Sequence, residues 1–241
     1  MSVDCVHFPS GEAELVGVFY RAIVAGPCPT AILLHGVPGG EKNLDIAYRL
    51  RELGWQTLIP SFRGTWGSGG DYDLTTQPDD AIAAVDYVTQ RESLARIALI
   101  GYSLGNRAAL VAAARDPRVG AVVSLAGFAD FDDVMLGEAF FADTLPFLRG
   151  ATVSDLKSQW ARLGGEWNPL ALAPRLRQPM LIVHGTEDET VPFYMAEALH
   201  AATQKRASLV SIDGADHTFT RDRTPLVAAV TTWLDQGSAE P

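Results

Sequence analysis

The run from Ile97 to Leu110 constrains this chain more than any other stretch. Apolar residues lead into Gly101-Tyr102-Ser103-Leu104-Gly105, and an Ala-rich pattern of helical character leads out. A strand that turns so sharply into a helix brings two backbones together. The flanking positions therefore lack a Cβ, and the serine between them projects its hydroxyl at a helix N-terminus. Ser103 is thus a candidate nucleophile. An ordinary Gly-rich turn is the alternative in a chain with 22 Gly, and only partner residues elsewhere decide between the two.

The rest of the chain alternates around this stretch. Residues 3–8 and 14–23 flank Pro9-Ser10-Gly11-Glu12 and read as an antiparallel hairpin at a sheet edge. Residues 30–34 form a continuous apolar run ended by His35-Gly36, the pattern of a strand covered on both faces. Strands at 56–60, 97–100, 119–126, 180–184 and 207–212 alternate with helical patterns. Those helices are marked by Leu44, Ala47, Leu50 and Leu53, by Ile82, Val85 and Val88, and by residues 104–115, 193–202 and 225–234. Such alternation predicts an α/β fold: a doubly wound, mostly parallel eight-stranded sheet with an N-terminal antiparallel hairpin and helices on both faces. At 241 residues the chain is expected to form one domain over 1–241. Residues 127–178 are too long for a plain connection and are expected to form a small helical insertion or lid.

The partners come in order along the chain. Serine is a weak nucleophile that needs an adjacent base, itself oriented by an acid. Asp188 follows the strand at 180–184 and His217 follows the strand at 207–212, so both sit, like Ser103, at carboxyl ends of parallel strands, where ligands and catalytic groups gather. Glu187, Glu189 and Asp213 are nearby alternatives to Asp188.

With Ser103, Asp188 and His217 in this order on this strand series, the chain resembles the α/β-hydrolase family over nearly all its length. The resemblance implies Ser103 as nucleophile, His217 as general base and then general acid, and Asp188 as the acid orienting His217. The family pattern of Gly, two residues, Asp, two residues, Val-Pro falls on Gly185, Asp188, Val191 and Pro192. His35-Gly36-Val37-Pro38-Gly39-Gly40 is similar to the family's oxyanion loop, which implies the backbone N–H groups of Val37 and Leu104 as the oxyanion hole. Arg63-Gly64-Thr65-Trp66-Gly67-Ser68-Gly69-Gly70 resembles a loop of single-domain serine hydrolases near the dienelactone hydrolase and prolyl oligopeptidase branches. Arg63 is expected to tie that loop to backbone carbonyls. Asn106 stands where many relatives carry a small residue, and a hydrogen bond to the oxyanion loop is its expected role. Tyr102, His7, His184 and His200 read as packing or surface residues.

Trp66, Phe128, Phe131, Trp160 and Trp167 are candidates for the substrate-binding wall, with a helical subcore as the alternative for the four in the insertion. The resemblance implies a cofactor-independent serine hydrolase, with no metal, cleaving a small or medium carboxylic ester through an acyl-enzyme. A peptidase or amidase of the prolyl oligopeptidase type is the second expectation, although no propeller or amine-binding acidic pair is evident. A non-catalytic ligand-binding module on the same scaffold is the third. The net charge of −10 argues against nucleic acid or an anionic membrane as partner. Cys5 and Cys28 fit no metal spacing and read as unpaired thiols, and the N-terminus lacks the signature of a secretory leader. A cytoplasmic monomer or homodimer is expected.

Overall fold

A computed structural model describes residues 3–24, 26–37, 42–91, 94–132 and 137–237. Eight strands form one sheet: β1 (Val3–Ser10), β2 (Ala13–Tyr20), β3 (Cys28–Leu34), β4 (Gln56–Pro60), β5 (Leu94–Tyr102), β6 (Val119–Leu125), β7 (Met180–Gly185) and β8 (Ser208–Ile212). Their spatial order is β1-β2-β4-β3-β5-β6-β7-β8. β1 and β2 pair antiparallel, as do β2 and β4, and every pairing from β4 onward to β8 is parallel. The helices are α1 (Leu44–Glu52), α2 (Gln77–Arg91), α3 (Gly105–Arg115), α4 (Glu138–Thr144), α5 (Val153–Trp160), α6 (Pro169–Leu172), α7 (Tyr194–Ala202) and α8 (Thr224–Gln236).

The continuous apolar runs have the two-sided burial expected of central parallel strands. Because successive side chains point to opposite faces, Ile32 and Leu34 of β3 and Ile97 and Leu99 of β5 join the core under α2, α3 and α7. Ala31, Leu33, Ala98 and Ile100 join the core under α1 and α8, with Ile46, Leu50, Trp55, Leu226 and Leu234. Strand β2 stops at Tyr20, three residues before the expected end. Its pairings with β1 and β4 both end there, and Ile23 and Val24 stand exposed beyond it. The loops carrying Ser103, Asp188 and His217 all leave the carboxyl ends of their strands, so the sheet collects on one edge what the sequence separates by more than a hundred residues.

Between β6 and β7 the chain builds α4, α5 and α6 with short 3₁₀ turns at Leu145–Phe147, Gly165–Trp167 and Ala173–Arg175. These helices and turns fall within residues 127–178, of which 133–136 lie outside the described residues. Among the described residues, no helix is long and apolar enough to cross a membrane. Cys5 is exposed, Cys28 is buried, and both are free thiols.

Candidate active site

Ser103 sits on the turn between β5 and α3 with φ +54°, a left-handed conformation that costs about 1–3 kcal/mol in a non-glycine residue. The turn is possible because its neighbours are bare. A Cβ on Gly101 would lie 2.6 Å from the Asn106 Cα, and one on Gly105 would lie 2.5 Å from the His35 carbonyl oxygen. Ser103 itself is buried, its N–H donating to Leu125 O at 2.9 Å.

The structure brings the three sequence candidates together. Ser103 Oγ lies 3.1 Å from His217 Nε2, and His217 Nδ1 lies 2.8 Å from Asp188 Oδ2. A carboxylate can only accept, so Nδ1 carries the proton and Nε2 presents its lone pair to the Ser103 hydroxyl. Asp188 is fixed from below: its Oδ1 accepts the N–H groups of Thr190 at 2.9 Å and Val191 at 2.8 Å. Burial alone would raise the Asp188 pKa. Hydrogen bonds from His184 and His217, the His217 charge and the Val191 N–H outweigh it and hold the carboxyl well below the usual range. The alternative acids lie elsewhere. Glu187 pairs with Arg221 at 3.0 Å, Asp213 accepts from the Thr186 hydroxyl at 3.4 Å, and Glu189 is exposed.

His184 has a part that packing alone did not suggest. Fully buried at the end of β7, its Nε2 donates to Val191 O at 2.7 Å and lies 3.2 Å from Asp188 Oδ2, the oxygen that also receives His217. Its Nδ1 has no partner among the described residues. A histidine ending a fully buried strand, four residues before the acid, was the available signal. Tyr102 likewise does more than pack, since its hydroxyl donates to the His217 carbonyl at 3.2 Å.

The loop after β3 reaches the same place. A Cβ on Gly36 would lie 2.8 Å from the Ser103 Cβ, so only glycine lets this backbone pass so close. Among the described residues no protein acceptor takes the N–H of Val37 or of Leu104. Pro38, Gly39 and Gly40 of the expected oxyanion loop lie outside the described residues. His35 staples the loop down. Its Nε2 accepts the Phe62 N–H at 3.0 Å, its Nδ1 donates to the Gly36 carbonyl at 2.8 Å, and Trp66 meets its ring edge-on at 4.6 Å.

Burial pushes the His35 pKa down to about 3, with nearby Lys42 acting in the same direction and the Gly36 carbonyl against it. The folded protein therefore refuses a proton that the unfolded chain takes up near pH 6.5. Stability is whole above pH 6.5 and falls as the pH drops from there toward 3, by about 1.4 kcal/mol per pH unit. Urea melts of wild type and His35→Asn at pH 7 and pH 4 measure this directly. Wild type is expected to lose about 3 kcal/mol more than the variant between the two. Equal losses contradict the account. The depressed Asp188 pKa acts lower, its contribution being lost only as pH falls below the ordinary carboxylate range.

The remaining expectations need correction in part. Arg63 binds a carboxylate rather than backbone carbonyls: Nη2 and Nε grip fully buried Asp80 at 2.6 and 3.0 Å, and Nη2 also reaches the Ser10 hydroxyl at 3.0 Å. Asn106 donates to the Phe128 carbonyl at 3.0 Å, joining α3 to the loop after β6 and not to the oxyanion loop. Phe128, Phe131 and Trp160 are 1%, 4% and 3% exposed. Trp160 meets the two phenylalanines edge-on at 5.4 and 5.0 Å, so the three fill a subcore instead of lining an open wall. Trp167 lies with Ala113, Pro117 and Leu172 at the far end of α3 from Ser103. Of the five aromatic candidates, Trp66 alone stands beside the Gly36 loop. It is half-buried at φ +39°, with the Lys42 ammonium 4.0 Å from its ring centre.

Residues 45–239 match the prolyl oligopeptidase family. The chain is 26% identical over 218 residues to the uncharacterised protein YqkD of Bacillus subtilis, covering 86% of this chain and 71% of YqkD. It is 26% identical over 218 residues to the acylamino-acid-releasing enzyme of Sus scrofa, covering 76% of this chain but 28% of the enzyme. For two further curated relatives the chain spans 44% and 53% of their length. The structure of Est1E from Butyrivibrio proteoclasticus with ferulic acid bound superposes with a TM-score of 0.81 at 20% identity, covering 98% of this chain and 100% of that one. With the family model spanning most of the sequence and this sheet order beneath it, the chain belongs to the prolyl oligopeptidase family and has the α/β-hydrolase fold.

Proposed function

We propose that the chain hydrolyses small or medium carboxylic esters through an acyl-enzyme at Ser103. The observation that carries this reading is the unbroken relay from Ser103 Oγ through the His217 ring to Asp188, at 3.1 and 2.8 Å. In the first half-reaction Ser103 Oγ attacks the ester carbonyl carbon while its proton passes to His217 Nε2. The resulting imidazolium is stabilised by the Asp188 carboxylate and then protonates the departing alcohol. In the second, His217 takes a proton from water, the hydroxide adds to the acyl carbon, and the proton returns to Ser103 Oγ as the acid leaves. The N–H groups of Val37 and Leu104 hold the carbonyl oxygen as it becomes negative. One such donor is worth about 3–4 kcal/mol of transition-state stabilisation. Trp66 forms part of the wall beside that oxygen. These roles for Ser103, Asp188, His217, Val37 and Leu104 require no metal or cofactor.

Full-length superposition on the esterase domain of a Rhodothermus marinus protein favours ester over amide, whereas the acylamino-acid-releasing enzyme is matched over 28% of its length. Turnover of a p-nitrophenyl ester and of the p-nitroanilide with the same acyl group separates the two. The expected kcat/KM ratio is above about 200 in favour of the ester, beyond what removal of one apolar pocket contact accounts for. A ratio near or below one overturns the ester assignment in favour of a peptidase or amidase. Turnover of both no faster than with Ser103→Ala points instead to a ligand-binding module.

A further inference from the structure

Arg223, immediately before α8, ties the loop of the proposed base to the start of α1. Its Nε donates to Asp45 Oδ2 at 2.6 Å and its Nη2 to Asp45 Oδ1 at 3.0 Å, a two-pronged grip on the first turn of α1. The same Nη2 donates to the Asn43 side-chain oxygen at 2.8 Å, and Nη1 donates to the Thr218 carbonyl at 2.8 Å. Thr218 follows His217. Asn43 and Asp45 stand at the start of α1. One guanidinium thereby joins the start of α1 to the loop of the proposed base.

Asn43 supplies a second, independent sign. Asparagine at a helix N-cap ordinarily turns its side-chain oxygen onto the first N–H groups of the helix. Asn43 occupies the N-cap of α1, buried and at φ +54°, yet caps nothing in α1. Its oxygen accepts from Arg223 instead. A local preference is set aside at the point where α1 is tied to the histidine side of the site, as happens where function rather than helix stability sets the geometry. Tyr102 makes the companion tie, its hydroxyl holding the carbonyl of His217 from the nucleophile strand.

We propose that Arg223 is a positioning residue. Anchored on Asp45 and Asn43 and acting through the Thr218 carbonyl, it fixes the loop that carries His217, and it touches no reacting atom. The inference rests on the triad reading above. A base is productive only when held within about 0.5 Å of the working geometry, and a misplacement of about 1 Å can cost on the order of 100-fold in rate. The tie itself is partly open to solvent, with the Arg223 and Asp45 side chains 23% and 35% exposed, so it contributes little to folding.

The test compares Arg223→Met, Arg223→Lys, Asp45→Asn and the Met/Asn double variant with wild type and Ser103→Ala, recording kcat and KM for the p-nitrophenyl ester and the melting temperature. Arg223→Met and Asp45→Asn are expected to lower kcat about tenfold, with KM within about twofold and the melting temperature within a few degrees. The double variant is expected to be no worse than either single one, because the two side chains act as one unit. Arg223→Lys keeps the charge but not the fork and is expected to restore less than half of the lost kcat. A kcat within twofold of wild type in both single variants overturns the inference. So do multiplicative losses in the double variant, full rescue by Lys, or a rate loss that merely follows a collapse in melting temperature. If Arg223→Met fails to fold, Asp45→Asn, which keeps side-chain volume, decides alone by the same criteria. A Ser103→Ala protein as active as wild type would instead sink the triad reading beneath it, whatever the Arg223 variants do.

Discussion

Ser103→Ala is expected to lower kcat about 10⁶-fold, the order seen when a member of a cooperating Ser-His pair is removed. The hydroxyl that the His217 Nε2 lone pair faces at 3.1 Å is the group placed to form the acyl bond. Folding should be untouched, because Ala at φ +54° bears the same backbone strain as Ser. Glycine separates the two effects. Ser103→Gly should be equally inactive yet more stable than Ser103→Ala by about 1 kcal/mol in urea melts, since the left-handed conformation no longer penalises a Cβ. Equal stability of the two variants would mean that the turn stores no strain.

Asp188→Asn is expected to lower kcat about 10⁴-fold with KM changed by less than about threefold. The Asn side-chain oxygen keeps the Thr190 and Val191 N–H groups that Oδ1 now receives, so the loop should hold its shape. The amide nitrogen then faces His217 Nδ1, where Oδ2 now accepts. The imidazole answers by carrying its proton on Nε2, and that nitrogen can no longer receive one from Ser103. His184 deepens the conflict, because its Nε2 also points at that oxygen from 3.2 Å and must fall back on the Val191 carbonyl alone. Steady-state kinetics with the p-nitrophenyl ester measures the loss. A kcat within tenfold of wild type would show that Asp188 does not set the tautomer of His217.

What the sequence disclosed followed from local pattern. Continuous apolar runs located the central strands, and the glycines around Ser103 marked a turn that only bare positions allow; local pattern left Asp188, Glu187 and Glu189 open, and the resemblance to the α/β-hydrolase family implied Asp188. Long-range pairings did not follow. Arg63 meets an Asp80 that lies on α2, 17 residues away, and Arg223 meets an Asp45 178 residues away. Neither distance leaves a trace in periodicity or composition. Aromatic content also misled: Phe128, Phe131 and Trp160 look the same in sequence whether they line a cleft or close on one another. The edge-on packing that buries them is a property of the folded insertion. For His184 and Tyr102, burial was legible, but the polar atoms each needed to satisfy were not.

The central claim is a covalent one: that Ser103 takes and releases an acyl group with His217 as its base. It is tested most directly by exposing the protein to a fluorophosphonate and locating the adduct by mass spectrometry of a proteolytic digest, with Ser103→Ala and His217→Ala in parallel. A single adduct on the peptide containing Ser103, absent from Ser103→Ala and formed at least about 100 times more slowly in His217→Ala, is the predicted result. No adduct on wild type, or an adduct on any other residue that persists in Ser103→Ala, would contradict it.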